Sequence, residues 1–237
     1  MPIAIISDIH GNLEALQTVF RFIEAQKIEK VYCLGDVVGY GPNPNECVEM
    51  VRQRCEIVLM GNHDYAAVGK ANIDYFNQFA REAALWTRKE LSQANHDYLL
   101  SLPFTHQNDD LLMVHASPTN PKHWYYVLSQ NEAQMEMHAF SQPLCFIGHS
   151  HVPLVYSREK LFKQESLLFE QSQKYIVNVG SVGQPRDGDA RSCLTVYDQD
   201  EHSVRFVRLA YEKEKTYKKI VKAKLPLFLA DRLLKGY

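Results

Sequence analysis

The chain has 237 residues, 46% of them hydrophobic, which is long enough to bury the core of one large α/β domain. Its 26 Lys and Arg residues nearly balance its 28 Asp and Glu residues, and this balance argues against a protein built mainly to bind nucleic acid or acidic membranes. No segment approaches the ~18 apolar residues that span a bilayer, and no signal sequence precedes the first apolar run. The five cysteines contain no Cys-x-x-Cys pair. We therefore expect a cytoplasmic protein with reduced, mostly buried thiols and no structural zinc site.

The first quarter of the chain alternates short apolar runs with amphipathic segments. The apolar run 3–6 predicts a strand that is buried on both faces. Residues 13–26 predict a helix, because their apolar side chains recur at helical spacing. Predicted strands at 31–34 and 57–60 flank a further predicted helix at 45–54. This alternation is typical of a largely parallel sheet, in which ligands bind just past the carboxyl ends of the strands.

The rest of the chain departs from this rhythm. Residues 65–102 predict a helical excursion close to the site, and 111–114 and 144–147 predict two further strands. The C-terminal segment 211–235 predicts helix that is interrupted at Pro226. Between these regions, alternating apolar residues predict a set of antiparallel strands at 152–156, 167–169, 175–179, 193–197 and 204–209.

Five short motifs place acidic, amide and imidazole side chains directly after predicted strands. Because strands of one sheet can bring such positions to a common edge, we expect these side chains to converge. Carboxylate oxygens and imidazole nitrogens are the ligands that hard and borderline divalent metals choose, and the motifs contain no thiolate. The motifs are Asp8-Ile9-His10, Gly35-Asp36, Gly61-Asn62-His63-Asp64, His115 and Gly148-His149-Ser150-His151.

In this order, the five motifs resemble those of the calcineurin-like metallophosphoesterase family over residues 8–151. The resemblance implies an α/β fold, a four-layer α-β-β-α sandwich over residues 1–210, with the helical tail 211–237 belonging to the same domain. It also implies a hydrolase that depends on two divalent metal ions. One metal would take Asp8, His10, Asp36 and His151, and the other would take Asp36, Asn62, His115 and His149.

The same resemblance implies a mechanism. Two metals clamp the phosphate, and a hydroxide formed from the water between them attacks phosphorus in line with the leaving oxygen. His63 is not a ligand but stands over the phosphate as the catalytic residue, where it protonates the leaving group or holds an oxygen. Asn62 and His63 thus also count as substrate-binding residues, and Arg186 is a candidate for a second phosphate contact. The native metal is left open among Mn, Fe, Zn and Mg, with Mn expected to support activity in vitro.

Two further stretches, 35–42 and 178–189, resemble the bacterial and archaeal phosphodiesterase-type branch of the family, related to diadenosine tetraphosphatases. Gly39-Tyr40-Gly41 and Met60 stand where phosphoprotein phosphatases carry Asp-Arg-Gly and a second arginine, so a protein phosphatase is disfavoured. We expect the substrate to be a small phosphorylated molecule, a nucleotide or phosphodiester, that is cleaved at a phosphodiester or phosphoanhydride bond. Neither a membrane nor a nucleic acid is an expected partner, and a homo-oligomer is left open.

Other functions remain as alternatives. The site also suits a small-molecule phosphomonoesterase, and relatives of this fold include non-catalytic protein-binding scaffolds, although those lack ligands or the acid histidine that this chain keeps. A nuclease guided by the basic tail conflicts with the near-neutral charge balance. Asn12 is expected only to cap a helix. Trp86 and the aromatic residues within 75–79 are expected to pack the helical excursion, with a role beside a base as the alternative.

Overall fold

The apolar runs of the chain form two six-stranded sheets in the computed structural model, which describes all 237 residues. In the first sheet, β1, β2 and β3 are parallel to one another, and β11, β12 and β9 continue the sheet in antiparallel fashion. Its spatial order is β3 (Ile57–Val58), β2 (Lys30–Cys33), β1 (Pro2–Ile6), β11 (Ser192–Asp198), β12 (Ser203–Leu209) and β9 (Ser166–Leu168).

The second sheet is also mixed. Its central strands β5, β6 and β10 are parallel, while β4, β7 and β8 pair in the antiparallel sense. Its spatial order is β4 (Thr105–Gln107), β5 (Leu111–Val114), β6 (Leu144–Ile147), β10 (Tyr175–Asn178), β7 (Leu154–Ser157) and β8 (Leu161–Phe162).

Eight α-helices cover these sheets. Asn12 caps the first of them, because its side-chain oxygen accepts a hydrogen bond from the backbone N–H of Ala15 at 3.2 Å, as the sequence predicts. Three short 3₁₀ turns lie at Ile73–Tyr75, Pro121–His123 and Met137–Ala139. The helices are α1 (Leu13–Ala25), α2 (Pro44–Arg54), α3 (Asn62–Ala67), α4 (Gln78–Glu90), α5 (Gln93–Leu100), α6 (Gln130–Glu136), α7 (Lys213–Lys222) and α8 (Leu227–Lys235).

Side-chain alternation along β1 shows how the layers form. Ile3 and Ile5 pack between the two sheets, whereas Ala4 and Ile6 face the helices on the outside of the first sheet. On the far side, α6 packs through Ala133 against the outer face of the second sheet. The result is the four-layer α-β-β-α sandwich that the resemblance implies, and the face-to-face sheets bring their strand ends to one edge.

Several expectations need correction. The predicted strand 175–179 is antiparallel to β7 but parallel to β6, because it lies in the middle of a mixed sheet. The predicted helical excursion 65–102 is confirmed, and it comprises the end of α3, a 3₁₀ turn and the two separate helices α4 and α5. Sequence patterns did not predict α6 or the short edge strands β4 and β8, because segments this short carry too few apolar residues to show a period. All five cysteines are free, and four are buried.

The C-terminal tail forms α7 and α8, which are separated at Pro226 as predicted. Their apolar faces pack against Tyr40 and against α4, through residues that include Ile220 and Leu229. On α7, the Lys219 ammonium lies 2.6 Å from the buried carboxylate of Glu14 on α1. No helix of the structure combines the length and the hydropathy that a membrane crossing requires.

Candidate metal centre

The polar motifs lie where strands of both sheets end. Asp8 follows β1, Asp36 follows β2, His115 follows β5 and His149 follows β6. Because β1 and β2 are parallel neighbours in one sheet and β5 and β6 are parallel neighbours in the other, their carboxyl ends meet at a shared edge of the sandwich. The structure therefore brings all the sequence-predicted ligand positions into one buried cluster.

Backbone geometry in this cluster is unusual. Five of its residues adopt the left-handed region with φ between 51° and 66°, although none is glycine. Such conformations cost free energy and persist only where the surrounding structure fixes them, and they are concentrated at functional sites. Nothing in the sequence predicted this strain, which affects Asp8, His10, Asp36, His149 and His151.

One group of possible ligands combines a carboxylate with two imidazoles. The Asp8 Oδ1 atom lies 3.2 Å from the His151 Nε2 atom and 3.8 Å from the His10 Nε2 atom. The two Nε2 atoms are 3.2 Å apart. All three ligand atoms are thus close enough to bind a single cation.

A second group lies next to the first. The Asp36 Oδ2 atom is 3.4 Å from the His115 Nε2 atom, and the Asn62 Oδ1 atom is 3.2 Å from that same nitrogen. Asp36, His115 and His149 together offer three ligand atoms within 4.8 Å of one another. The Asp36 Oδ2 atom also lies 3.7 Å from the His10 Nε2 atom, so Asp36 stands between the two groups.

Hydrogen bonds to backbone carbonyls orient three of the imidazoles. The Nδ1 atoms of His10, His115 and His151 lie 3.2, 3.0 and 2.5 Å from carbonyl oxygens, and because a carbonyl only accepts, each Nδ1 must carry the proton. In the neutral ring this leaves each Nε2 unprotonated and directed into the cluster, which is the arrangement of metal-binding histidines. The accepting carbonyls belong to Val38, Leu34 and Gln184.

Two atoms directed into the cluster have no hydrogen-bond partner. They are the Asp8 Oδ1 atom and the His149 Nε2 atom, and both are buried. A buried polar atom without a partner carries a desolvation cost of ~1–3 kcal/mol. Divalent cations would satisfy both atoms, so the donor set fits metal binding on its own geometry.

The charges of the site are equally unusual. Burial opposes ionisation of Asp8 and Asp36, yet the neighbouring histidines lower the pKa of both carboxyls below their ordinary range. Burial likewise opposes a charge on His115, but the charge of Asp36 and a hydrogen bond to it raise the His115 pKa to about 9. Burial lowers the pKa of His149 to about 3. Two buried carboxylates thus attract positive charge, whether a cation or a second proton on the Nε2 atom of His115.

His63 occupies a different place from the other histidines. Its backbone N–H donates to the Asp36 Oδ1 atom at 2.8 Å, while its ring packs against the ring of Tyr40 with a centroid distance of 4.3 Å. The buried Nδ1 atom of His63 has no partner, and burial lowers the pKa of the ring to about 4. A ligand atom of His63 lies within 4.8 Å of those of His10 and Asp36, so the ring borders the candidate metal position.

Asp64, the last residue of the Gly61–Asp64 motif, is buried and binds backbone groups. Its Oδ1 atom accepts a hydrogen bond from the backbone N–H of Val38, and its Oδ2 atom accepts one from that of Gly61, each at 3.0 Å. Burial and the charge of Asp36 raise the pKa of Asp64 to about 7. Asp64 therefore fastens the loop after β2 to the start of α3, a structural role that the sequence did not assign to it.

Arg186 lies at the margin of the cluster. Its guanidinium donates to the Gln184 Oε1 atom at 2.8 Å and lies 5.9 Å from the centroid of the Tyr40 ring. Tyr40 in turn contacts the rings of His10 and His63, so the Tyr40 ring lies between Arg186 and these two histidines. Tyr126, which no sequence motif indicated, stacks its ring on that of His149 with a centroid distance of 4.0 Å.

Comparison with known proteins agrees with this arrangement. Residues 1–201 match the model of the calcineurin-like phosphoesterase superfamily domain. The chain is 41% identical over 240 residues to an uncharacterised protein of Methanocaldococcus jannaschii, covering 99% of this chain and 98% of that protein. It is also 40% identical to a metallophosphoesterase from Sphaerobacter thermophilus of known crystal structure, with a TM-score of 0.90 and coverage of 100% and 99%. A hypothetical protein from Pyrococcus horikoshii shares the fold at 20% identity, with a TM-score of 0.84 and coverage of 100% and 98%. This chain therefore belongs to the calcineurin-like phosphoesterase superfamily and is a metal-dependent phosphoesterase.

Proposed function

We propose that this phosphoesterase holds two divalent cations and hydrolyses a phosphodiester or phosphoanhydride bond in a small molecule. The observation that carries the proposal is the position of the Asp36 Oδ2 atom, 3.4 Å from the His115 Nε2 atom and 3.7 Å from the His10 Nε2 atom. A single carboxylate between two groups of imidazoles is suited to bridge two cations and to reduce their mutual repulsion.

The ligand assignment follows from the two groups. Asp8, His10 and His151 would hold one cation with Asp36, and Asn62, His115 and His149 would hold the other, also with Asp36. Two such cations would supply a deprotonated water as the nucleophile and would neutralise charge on the phosphoryl oxygens. Mn²⁺, Fe²⁺, Zn²⁺ and Mg²⁺ all suit this mixed oxygen and nitrogen set.

The side chains of the protein would handle the leaving group. Asn62 and His63 border the open side of the centre, where the phosphate binds in this proposal. As the bond between phosphorus and the leaving oxygen breaks, the His63 imidazolium would give its proton to that oxygen, and the negative charge of the bound phosphate would favour this protonated form against the effect of burial. Arg186, next to Tyr40, would contribute a further positive charge to hold the phosphate.

The test is turnover of bis-p-nitrophenyl phosphate and of p-nitrophenyl phosphate by protein reconstituted with Mn²⁺. We expect chelator-sensitive turnover that is faster for the diester, and loss of turnover in Asp36→Asn. Faster turnover of the monoester would favour the phosphomonoesterase alternative. Absence of chelator-sensitive turnover with Mn²⁺, Fe²⁺, Zn²⁺ or Mg²⁺ would favour the scaffold.

A further inference from the structure

A cavity of about 660 Å³ opens directly over the candidate metal centre. Asn62, His63 and His149 form its floor, so a group that leaves from a phosphate at the centre would enter it. The volume lies in the range of ~300–1,000 Å³ that small-molecule sites occupy. It is far larger than a phosphate needs, which indicates that the cavity holds another part of the substrate.

The walls of the cavity are aromatic. Six of its 16 lining residues are Phe, Tyr or Trp, against 26 among the 237 residues of the chain. Four of these six come from two segments that are distant in the chain, Tyr75 and Phe76 from one and Trp124 and Tyr126 from the other. Aromatic side chains that line a cavity bind planar rings by stacking.

Internal packing does not explain all of these aromatic side chains. The Phe76 ring contacts His63 at 5.3 Å and the Trp124 ring contacts Tyr65 at 6.1 Å, so both have partners within the protein. Tyr75, in contrast, is 89% exposed although it lines the cavity. An exposed ring at the wall of a cavity offers apolar surface that a planar group bound in the cavity would cover.

The charged side chains that line the cavity are all positive. Lys70 and Lys122 line the cavity, and no Asp or Glu does, in a chain whose overall net charge is −2. Neither lysine forms an ion pair, and the Lys122 ammonium instead lies 4.7 Å from the centroid of the Phe104 ring. Two ammonium groups without a carboxylate partner, beside several aromatic side chains, match a planar ring that is joined to a negatively charged group.

We propose that this cavity binds the nucleobase of a nucleotide leaving group, and that Lys70 and Lys122 bind a further phosphate on the same leaving nucleotide. The inference deepens the proposed function and rests on it for the reaction itself. Water cleaves the ester or anhydride: a new bond forms between the water oxygen and phosphorus, and the bond from phosphorus to the nucleotide oxygen breaks. That oxygen takes a proton from the protonated His63 ring and departs with the nucleotide into the cavity, while the proton that the attacking water loses passes to solvent.

Tryptophan fluorescence provides a binding test that is independent of turnover. The chain contains two tryptophans, and Trp86→Phe leaves Trp124, in the cavity wall, as the sole fluorophore. Mn²⁺-loaded protein with this substitution is titrated with AMP, ADP and ribose 5-phosphate. We expect AMP to quench Trp124 and to bind about tenfold more tightly than ribose 5-phosphate, which has a phosphate but no base. ADP should bind more tightly than AMP, and Lys70→Ala combined with Lys122→Ala should abolish that difference.

Matched variants separate the cavity from the surrounding surface. Tyr75→Ala should remove most of the advantage of AMP over ribose 5-phosphate, whereas Tyr125→Ala, which removes a tyrosine that is 54% exposed but does not line the cavity, should leave it intact. Equal binding of AMP and ribose 5-phosphate, or equal losses in the two tyrosine variants, would overturn the proposal. Competition by the same ligands against bis-p-nitrophenyl phosphate in the unmodified protein repeats the comparison if Trp86→Phe does not fold.

The two proposals fail separately. Base-dependent binding without hydrolysis of bis-p-nitrophenyl phosphate would support the cavity and contradict the proposed function. Hydrolysis of that reporter without base-dependent binding would support the proposed function and refute the nucleotide cavity.

Discussion

Replacement of His63 by alanine tests whether His63 donates a proton to the leaving group while other residues bind the metal ions. The substitution removes the imidazole but keeps the backbone N–H, which donates to the Asp36 Oδ1 atom at 2.8 Å. Because the proposed ligands are all other residues, we expect metal content to be unchanged. Turnover should fall by ~10²–10⁴-fold, the usual contribution of a general acid, which corresponds to ~2.7–5.4 kcal/mol of transition-state stabilisation.

The size of the folding defect can be bounded from the same contacts. The His63 ring packs on Tyr40 at 4.3 Å and on Phe76 at 5.3 Å, but its Nδ1 atom makes no hydrogen bond that the substitution would break. A loss of packing of this kind costs about 1–3 kcal/mol, less than the stability of an ordinary domain. Unfolding therefore cannot account for the expected loss of turnover.

The decisive assay compares leaving groups. Phenyl and p-nitrophenyl phosphodiesters differ in how much they need a proton, so His63→Ala should slow the phenyl ester far more than the p-nitrophenyl ester. Metal content by mass spectrometry and thermal unfolding serve as controls. Equal slowing of both esters would refute the role as an acid, and loss of metal would show that His63 is itself a ligand.

Two further predictions concern positions around the centre. Gly148→Ala places a Cβ atom within 3 Å of the Ser7 Oγ and Asp8 Oδ2 atoms. It should therefore displace Asp8 and lower metal content and turnover by at least ~10-fold. The control Gly188→Ala, whose Cβ atom would have no neighbour within 4 Å, should change only stability. Glu14→Gln should destabilise the protein by ~1–3 kcal/mol at pH 7, because Lys219 loses a charged partner, and should lower the unfolding temperature measured by calorimetry. Burial opposes the charge on Glu14, but the hydrogen bond from Lys219 and its charge lower the Glu14 pKa from 4.5, so the stabilisation is complete above pH ~4.5 and disappears as pH falls through the lower folded pKa. A destabilisation by Glu14→Gln that stays constant from pH 7 to pH 3 would contradict this assignment.

The sequence was most informative about side chains that directly follow a strand in the chain. Each motif follows an apolar run, and a run such as 3–6 is buried on both faces in the structure. The position of Asp8 or His115 at a strand end is therefore a local property. That the strands belong to two sheets was implied only by the resemblance, because β1 and β6 are separated by more than a hundred residues and no local pattern records their packing.

Other features of the site depend on contacts that no sequence pattern shows. The left-handed backbone of His149 and His151 is imposed by surrounding hydrogen bonds, such as the one from the His149 N–H to the Asp8 Oδ2 atom at 3.0 Å. The sequence did not predict the cavity either, since Tyr75 and Trp124 are distant in the chain and only the fold brings both to its lining. The aromatic residues within 75–79 were expected to pack the helical excursion, and Phe79 does so, stacking on Phe228 at 4.7 Å. Phe76 and Trp86 also pack against the cluster formed with α7 and α8, as expected, although Phe76 lines the cavity as well. Tyr75 is exposed and lines the cavity without such packing.

Metal stoichiometry measured together with turnover tests the central claim most directly. Protein stripped with chelator and titrated with Mn²⁺ should bind two ions per chain, and turnover of bis-p-nitrophenyl phosphate should appear only as the second ion binds. Asp36→Asn, which alters the one carboxylate between the two groups, should weaken both binding events. Full turnover with a single ion per chain, or two ions bound equally well by Asp36→Asn, would contradict the account.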